Sequence, residues 1–577
     1  MNDQNPRNTR IALQAHDMMG SDPSLSSPPI PWAFSCAHSR RSRFLFLVLS
    51  AVSPAFAQAP LLQDGAADLR QARLDWTLGE AVATPFRVPS LEVGLGGAGS
   101  GGLYAPLVGG EGFGHGTQGW GVGLQGKYFR GGWSLAATAV AFRDGEITRG
   151  VLQRGAIAYQ TEGGWRFALE QTPFQWGFGP NGGYLMGDSA RPFPRLSMST
   201  PEAALHLWKV PLGRWSAEFF YGRMEWNREI PEWMSNRETQ LAAKAANGDI
   251  RRPDLSGARF TGRFGPYVEL NFAGVSMWGG VDPQGRNRQQ GYTWDDYLLG
   301  FFGAENIGRS EASGSQGNFD LSKFKQISMG HAMAEARVRL PALAEFFGAK
   351  GASVYLSRGS KNINWQWKDF LHHPGAAINR DLSKDWNLIK RRHILGGDYM
   401  NSIWGRGTRE AAPTLEHAND MIGFQLVFNG WDLALDYADT VNIPADGGGY
   451  RVYSHSTYLA GLSRYSDSLG LPFGGDTITR TADLGFPLLF EGQGRLKVVS
   501  GIRVFRDNLA LWSDAHPGQV PELNRFWFLQ ADAHWRTPTG RAGASISSER
   551  DRNPQFVNGA LPRWGWAFSV FQSFRVF

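Results

Sequence analysis

The sequence has a single cysteine, Cys36, among its 577 residues, and this one falls in the leader described below. A mature chain without thiols excludes a disulfide framework and a thiolate metal site, and it suits export through an oxidising compartment. Long apolar runs are missing too. A membrane-spanning helix needs about 20 consecutive apolar residues, and no such run follows residue 57. The net charge is only +6 and no dense Lys/Arg tract occurs, which argues against a nucleic-acid partner.

Catalytic constellations are equally scarce. The Gly-rich stretch 94–102 lacks the Lys-Ser/Thr of a phosphate-binding loop. His372-His373 lacks the spacing of a zinc helix. No Gly-x-Ser-x-Gly element comes with a credible triad, and no carboxylate pair can be placed for glycoside hydrolysis. The expectation is a protein that is not an enzyme and carries no cofactor or metal.

What the chain has in quantity is glycine, 73 residues, and aromatics, 13% of the sequence with 22 Trp. That combination fits many short strands, tight turns and interfacial rings. From Trp120 onward the pattern has period two. Val122, Leu124, Gly126 and Tyr128 alternate with Gly123, Gln125 and Lys127, and after the turn at Gly131-Gly132 come Trp133, Leu135, Ala137 and Ala139. Ile157 and Tyr159 lead through Gly163-Gly164 to Trp165, Phe167 and Leu169. Ile422 to Phe428 and Trp431 to Tyr437 flank Asn429-Gly430, a two-residue hairpin dipeptide. Further alternation covers Leu496 to Val504, Trp527 to Trp535, and Trp564 to Val570 near the terminal Phe577, which sits one residue out of phase.

The apolar stripes begin and end in aromatic residues, as girdles at two membrane interfaces require. A soluble β-sandwich or propeller is the alternative, and the lack of a fixed repeat counts against the propeller. The reading is all-β: a transmembrane antiparallel barrel of about 18 strands over 120–577, a count for which strands of ~10 residues leave ample room. Stretches 228–256, 283–320, 359–418 and 439–456 are its candidate outer loops. Expected partners are outer-membrane lipid, lipopolysaccharide and the barrel insertion machinery, the last engaging the C-terminal strand, and the barrel is expected to be monomeric.

Upstream, Arg40-Arg41-Ser42-Arg43, the apolar run Phe44 to Val52 and Ala55-Phe56-Ala57 read as a signal peptide at 40–57, cleaved before Gln58. A buried strand is the other reading of that run. Residues 1–39 do not look like an export leader, which points to a translation start further downstream. Residues 58–119 form an expected periplasmic segment. Leu69, Ala72, Trp76 and Gly79 share a helical face, Pro85 and Pro89 stop the helix, and 91–119 follow as a Gly-rich flexible or plug segment.

Three stretches resemble the Wzi family of capsule-assembly proteins. The first runs from Glu170-Gln171-Thr172-Pro173 through Trp176-Gly177-Phe178-Gly179-Pro180 to Asp188-Ser189-Ala190-Arg191-Pro192-Phe193-Pro194. The second is Leu69-Arg70 to Leu78-Gly79 with Thr84-Pro85-Phe86-Arg87-Val88-Pro89, and the third is Tyr458 to Tyr465 with Leu469-Gly470-Leu471-Pro472-Phe473-Gly474-Gly475-Asp476. The resemblance implies an 18-stranded outer-membrane barrel of a Gram-negative cell with a small N-terminal helical element. It also implies lectin-like retention of capsular or extracellular polysaccharide. The Gly-rich stretch 91–119 departs from the helix the family would place there. The competing function is a channel for a small solute.

Candidate glycan-contacting residues are Trp176, Arg191 and Arg195, and in the outer loops Trp365, Trp367, Tyr399 and Trp404. Arg pairs with carboxylates and Trp stacks on sugar faces, so the set suits an acidic polysaccharide. Against this stands a purely structural role, with the Pro- and Gly-rich segment folding inward over the barrel and the loop aromatics packing or forming girdle.

Overall fold

The computed structural model describes, apart from isolated positions, residues 76–78, 90–101, 118–144, 147–172, 175–187, 192–207, 210–287, 328–361, 418–440 and, with short gaps, 459–503 and 509–576. The expected leader at 1–57 and the terminal Phe577 lie outside them.

Strands dominate. The first group is β1 (Ser90–Gly101), β2 (Gln118–Arg130), β3 (Trp133–Asp144), β4 (Ile147–Gln160), β5 (Arg166–Gln171), β6 (Arg195–Ser199), β7 (Ala203–Leu207) and β8 (Val210–Arg223). Helix α1 (Arg237–Asn247) precedes β9 (Asp254–Phe264), β10 (Val268–Trp278) and β11 (Ser328–Arg339). Helix α2 (Pro341–Phe346) precedes β12 (Gly351–Lys361), β13 (Ala418–Val427) and β14 (Asp432–Asp439). A two-residue pair, β15 (Ser463–Arg464) and β16 (Asp467–Ser468), comes before β17 (Thr477–Leu488) and β18 (Gly492–Arg503). Helix α3 (Leu509–Ala515) is followed by β19 (Asn524–Thr537), β20 (Gly540–Arg552) and β21 (Arg563–Arg575).

Apart from β15 and β16, the strands form one 19-stranded antiparallel sheet. Strand β1 pairs with β2 along one edge and with β21 along the other, so the ladder of pairings returns to its start. Strands β6 and β7 lie one after the other beside β8, and taking them as one interrupted strand reduces the 19 to 18.

The barrel therefore starts at Ser90, not at Trp120 as the periodicity suggests. The stretch 90–101 shows little side-chain alternation because so many of its residues are glycine, and backbone pairing to two neighbours makes it a strand. The expected N-terminal helix is present at Leu74, Trp76, Thr77 and Leu78.

The connections divide by end. One end carries tight turns such as Asn429-Gly430, where Gly430 takes φ 76°, a backbone that residues with a Cβ rarely adopt. The other end carries the long connections, including 224–253 with α1. In transmembrane barrels the short turns are periplasmic and the long loops extracellular.

The wall is apolar outside and polar inside. On β21 Trp564, Trp566, Val570 and Phe574 are exposed, while Ser569 and Ser573 between them are buried. On β20 Ile546 is 61% exposed and its neighbours Ser545 and Ser547 are buried. Aromatic residues gather at both rims. Trp133 packs tilted against Tyr159 at 4.9 Å near the short turns, and Trp527 meets Trp564 edge-on at 5.8 Å near the long loops. From Trp527 to Trp535 the strand covers about 27 Å at ~3.4 Å per residue, comparable with the ~25 Å apolar band of such barrels.

Candidate functional site

Between β5 and β6 the chain turns into the barrel. Trp176 N–H donates to the Met186 carbonyl at 3.0 Å and Gln175 Nε2 to the Gly179 carbonyl at 2.8 Å, which folds 175–187 back on itself. The two arms of the fold approach so closely that a Cβ on Gly183 would lie 1.3 Å from the Trp176 carbonyl oxygen, so glycine is the only residue that fits. The segment is anchored across the barrel. Asn181 Nδ2 donates to Thr481 Oγ1 on β17 at 2.6 Å, and Gly187 N–H donates to the Leu469 carbonyl at 2.6 Å. The ring of Tyr184 occupies the space left by Gly359 on β12.

A continuous apolar core results inside the barrel. Trp176, Leu185 and Met186 from this segment join Phe220, Met277 and Met329 from the inner wall and Leu459 and Leu469 from the β14–β17 connection. Among the described residues, this cluster packs the infolded segment against the inner faces of β8 to β14.

Two of the glycan candidates lie within this assembly. Trp176 is 1% exposed; its Nε1 donates to Glu218 Oε2 at 3.2 Å, and its ring packs 5.2 Å from Phe220 with the Arg259 guanidinium 5.8 Å away. Arg195 points inward from β6 and is 4% exposed. It donates to Glu170 Oε1 at 3.2 Å and to the Thr172 carbonyl at 2.7 Å, and Arg166 and Ser197 complete the shell of Glu170. Phe193 and Phe220 connect the two sites. Both candidates thus hold the infolded segment to the wall. Arg191, Trp365, Trp367, Tyr399 and Trp404 lie outside the described residues, as do His372 and His373.

A second joint closes the short-turn side. The Arg337 guanidinium on β11 sits 3.8 Å from the Trp76 ring and 4.4 Å from the Phe178 ring, and it donates to Glu269 Oε2 at 3.0 Å. Thr77 Oγ1 donates to Gln425 Oε1 at 3.1 Å, and Arg339 donates to the Leu78 carbonyl at 3.1 Å. The N-terminal helix is therefore docked against the inner wall.

At the long-loop end a small cavity of about 30 Å³ lies between α1, α3 and the upper ends of β18 to β21. Its lining includes the buried polar residues Arg503, Asn524 and Asp551, and the buried rings of Trp512 and Phe556. Trp512 is stacked against His516 at 4.6 Å, and its Nε1 donates to the Gln555 carbonyl at 3.0 Å. At the rim Arg563 grips Glu232 Oε2 with two N–H groups, at 2.9 and 3.1 Å, and Arg237 meets Glu238 at 3.4 Å. One wall is strained, since Asn553, Gln555 and Phe556 all take positive φ, between 54° and 66°. The sequence reading missed this site, because its residues are scattered over short connections and strand ends. The i, i+4 spacing of Trp512 and His516 was the one local clue. Among the described residues, no group of three or more His, Cys, Asp or Glu side chains is placed to hold a metal ion.

No family profile matches the sequence, and no curated protein matches it. Solved structures do. Wzi, the carbohydrate-binding outer-membrane β-barrel involved in group 1 capsule assembly in Escherichia coli, aligns with TM-score 0.51 and 13% identity, over 92% of this chain and 91% of that one. OprD from Pseudomonas aeruginosa aligns with TM-score 0.38 and 10% identity, over 85% of this chain and 93% of that one. OccAB2 from Acinetobacter baumannii aligns with TM-score 0.40 and 8% identity, over 85% and 98%. The chain has the fold of an outer-membrane β-barrel.

Proposed function

We propose that this protein binds exported capsular or extracellular polysaccharide at the surface of a Gram-negative cell and holds it there, and that it does so without a catalytic step. The observation that carries the reading is the segment laid across the barrel interior with an apolar core around it. A solute channel needs a water-filled path, whereas here the infolded 175–187 segment and the β14–β17 connection pack an apolar core across the barrel. Retention at the surface needs no path. It needs polar and aromatic groups at the outer mouth, and weak contacts repeated along a polymer hold it through avidity. The three stretches resembling the capsule-assembly family and the shared fold with carbohydrate-binding Wzi support the same reading.

The channel reading draws on one observation: most inward wall positions at the short-turn side are charged or hydroxylated, as a conducting pore requires. Deleting the gene separates the two. On the proposed function, synthesis of the polymer continues and the ratio of cell-bound to free polysaccharide falls severalfold, while the purified barrel gives little current in planar bilayers. An unchanged ratio together with large single-channel currents would establish the channel.

A further inference from the structure

We propose that helix α2, in the connection between β11 and β12, docks on the outside of the barrel into the headgroup boundary of the phospholipid leaflet at the short-turn end, as a lipid anchor. The proposal rests on the barrel fold and not on the polysaccharide reading above. Between β2 and β3, and again between β19 and β20, the chain reverses in two residues, whereas between β11 and β12 it takes eleven. The extra residues build a defined element. Pro341 opens the helix, where its missing N–H costs nothing. Gly348 closes it at φ 64°, with Ala349 N–H donating to the Ala344 carbonyl at 2.8 Å and Gly348 N–H to the Glu345 carbonyl at 3.0 Å. A short helix stopped at both ends holds its faces in fixed directions.

Its place on the wall points to lipid. On β12 and β13, Ser353, Tyr355 and Gln425 face inward, where Thr77 bonds Ser353 and Gln425, and Asp436 accepts from Tyr355. By alternation Ala352 and Leu426 face outward. Both are nevertheless buried, whereas the outward residues Leu135 and Ile546 are exposed. The cover is α2: Ala344 forms one apolar cluster with Ala352 and Leu426, and Leu343 and Ala349 pack against it. The helix thus lies outside the cylinder, in space that lipid occupies elsewhere around the wall.

The far side of the helix is apolar and open. Phe346 is 79% exposed and Phe347 47%. Phe347 packs 6.3 Å from Phe424, whose ring is on the outer face of β13, and Phe346 meets Phe347 edge-on at 5.1 Å. Three rings therefore run from the lipid-facing wall out to Phe346, so this surface continues the one that the bilayer covers. Glu345 and Lys350 are exposed on the same connection. Rings that favour hydrocarbon, beside a carboxylate and an ammonium that need water or headgroups, are satisfied together only at the boundary between the two, where aromatic residues and amphipathic helices gather.

The test uses the full-length barrel, with Cys36→Ser removing its one thiol, reconstituted in vesicles of phosphatidylcholine and phosphatidylglycerol. Phe346→Cys carries a nitroxide spin label, and Glu162→Cys, exposed on the β4–β5 turn, carries the reference label. Oxygen concentrates in lipid and a nickel chelate stays in water, so the ratio of their collision rates with the label reports its surroundings. That ratio should be severalfold higher at 346 than at 162. Should the 346 variant fail to fold, Ala342→Cys replaces it, since Ala342 is exposed one turn earlier on the same face, and the same excess is expected there. Equal ratios at the helix and at 162 would overturn the proposal. So would a helix label shielded from both reagents and broadened by a neighbouring label, which would put a second copy of the chain on this face instead of lipid.

Discussion

The two faces of the barrel wall are built by opposite rules. Outward positions such as Leu135 and Ile546 need only be apolar, because lipid accepts any apolar side chain. Inward positions are matched to specific partners: Glu170 meets Arg166, Arg195 and Ser197, while Arg337 meets Glu269 between two aromatic rings. The outer face is therefore tolerant in detail and strict in kind, and the inner face is strict in both.

The largest expected effect is at Arg337. Arg337→Ala leaves Glu269 buried without its closest cation and frees both Trp76 and Phe178. Removing one partner of a buried pair costs about 3–5 kcal/mol, read as a lower urea midpoint for unfolding from detergent. A cost below 1 kcal/mol would erase the contrast between the faces.

The wall was legible in the sequence because period two needs only hydropathy to be seen. Trp527 to Trp535 and Trp564 to Val570 emerged as strands, as did the turn at Asn429-Gly430. The interior was not legible. Trp176 and Arg195 read equally as glycan contacts and as parts of a Pro- and Gly-rich segment folded inward over the barrel, because hydropathy does not say which groups such a segment meets. Their partners Glu218 and Glu170 become visible only once β5, β6 and β8 lie side by side. The mouth cavity stayed hidden for the same reason: Arg503, Asn524 and Asp551 are brought together by the pairing of β18, β19 and β20.

A smaller effect probes the outer face. Ile546→Arg should cost about 2–4 kcal/mol in a bilayer, whereas Ile546→Val should cost under about 1 kcal/mol. Equal penalties for the two, from reversible folding into vesicles, would contradict a lipid-facing position.

The smallest concerns Asp249 in the loop after α1. It accepts the Leu459 N–H at 3.2 Å, and burial raises its pKa against the opposing pull of Arg228. The folded carboxyl thus holds its proton more tightly than the unfolded one. Its contribution to stability is fully present below the ordinary Asp value of about 3.9 and is lost as pH rises through the raised native value. Loop docking should loosen slightly as pH rises above about 4, and Asp249→Asn should flatten the trend. Limited proteolysis of the 224–253 connection across that range measures it, and identical profiles would remove Asp249 as the cause.

The meeting of β1 with β21 has a mechanical consequence. Gly94, Gly96, Gly97, Gly99 and Gly101 lie on one side of that line, and across β1 the facing residues of β2 include Gly119, Gly121 and Gly123. Elsewhere neighbouring strands are fastened twice, by backbone bonds and by cross-strand side-chain pairs; a bare glycine contributes only the first fastening. The cylinder thus has a zip along one generator, easy to close as the last step of assembly and the first line to part under lateral load.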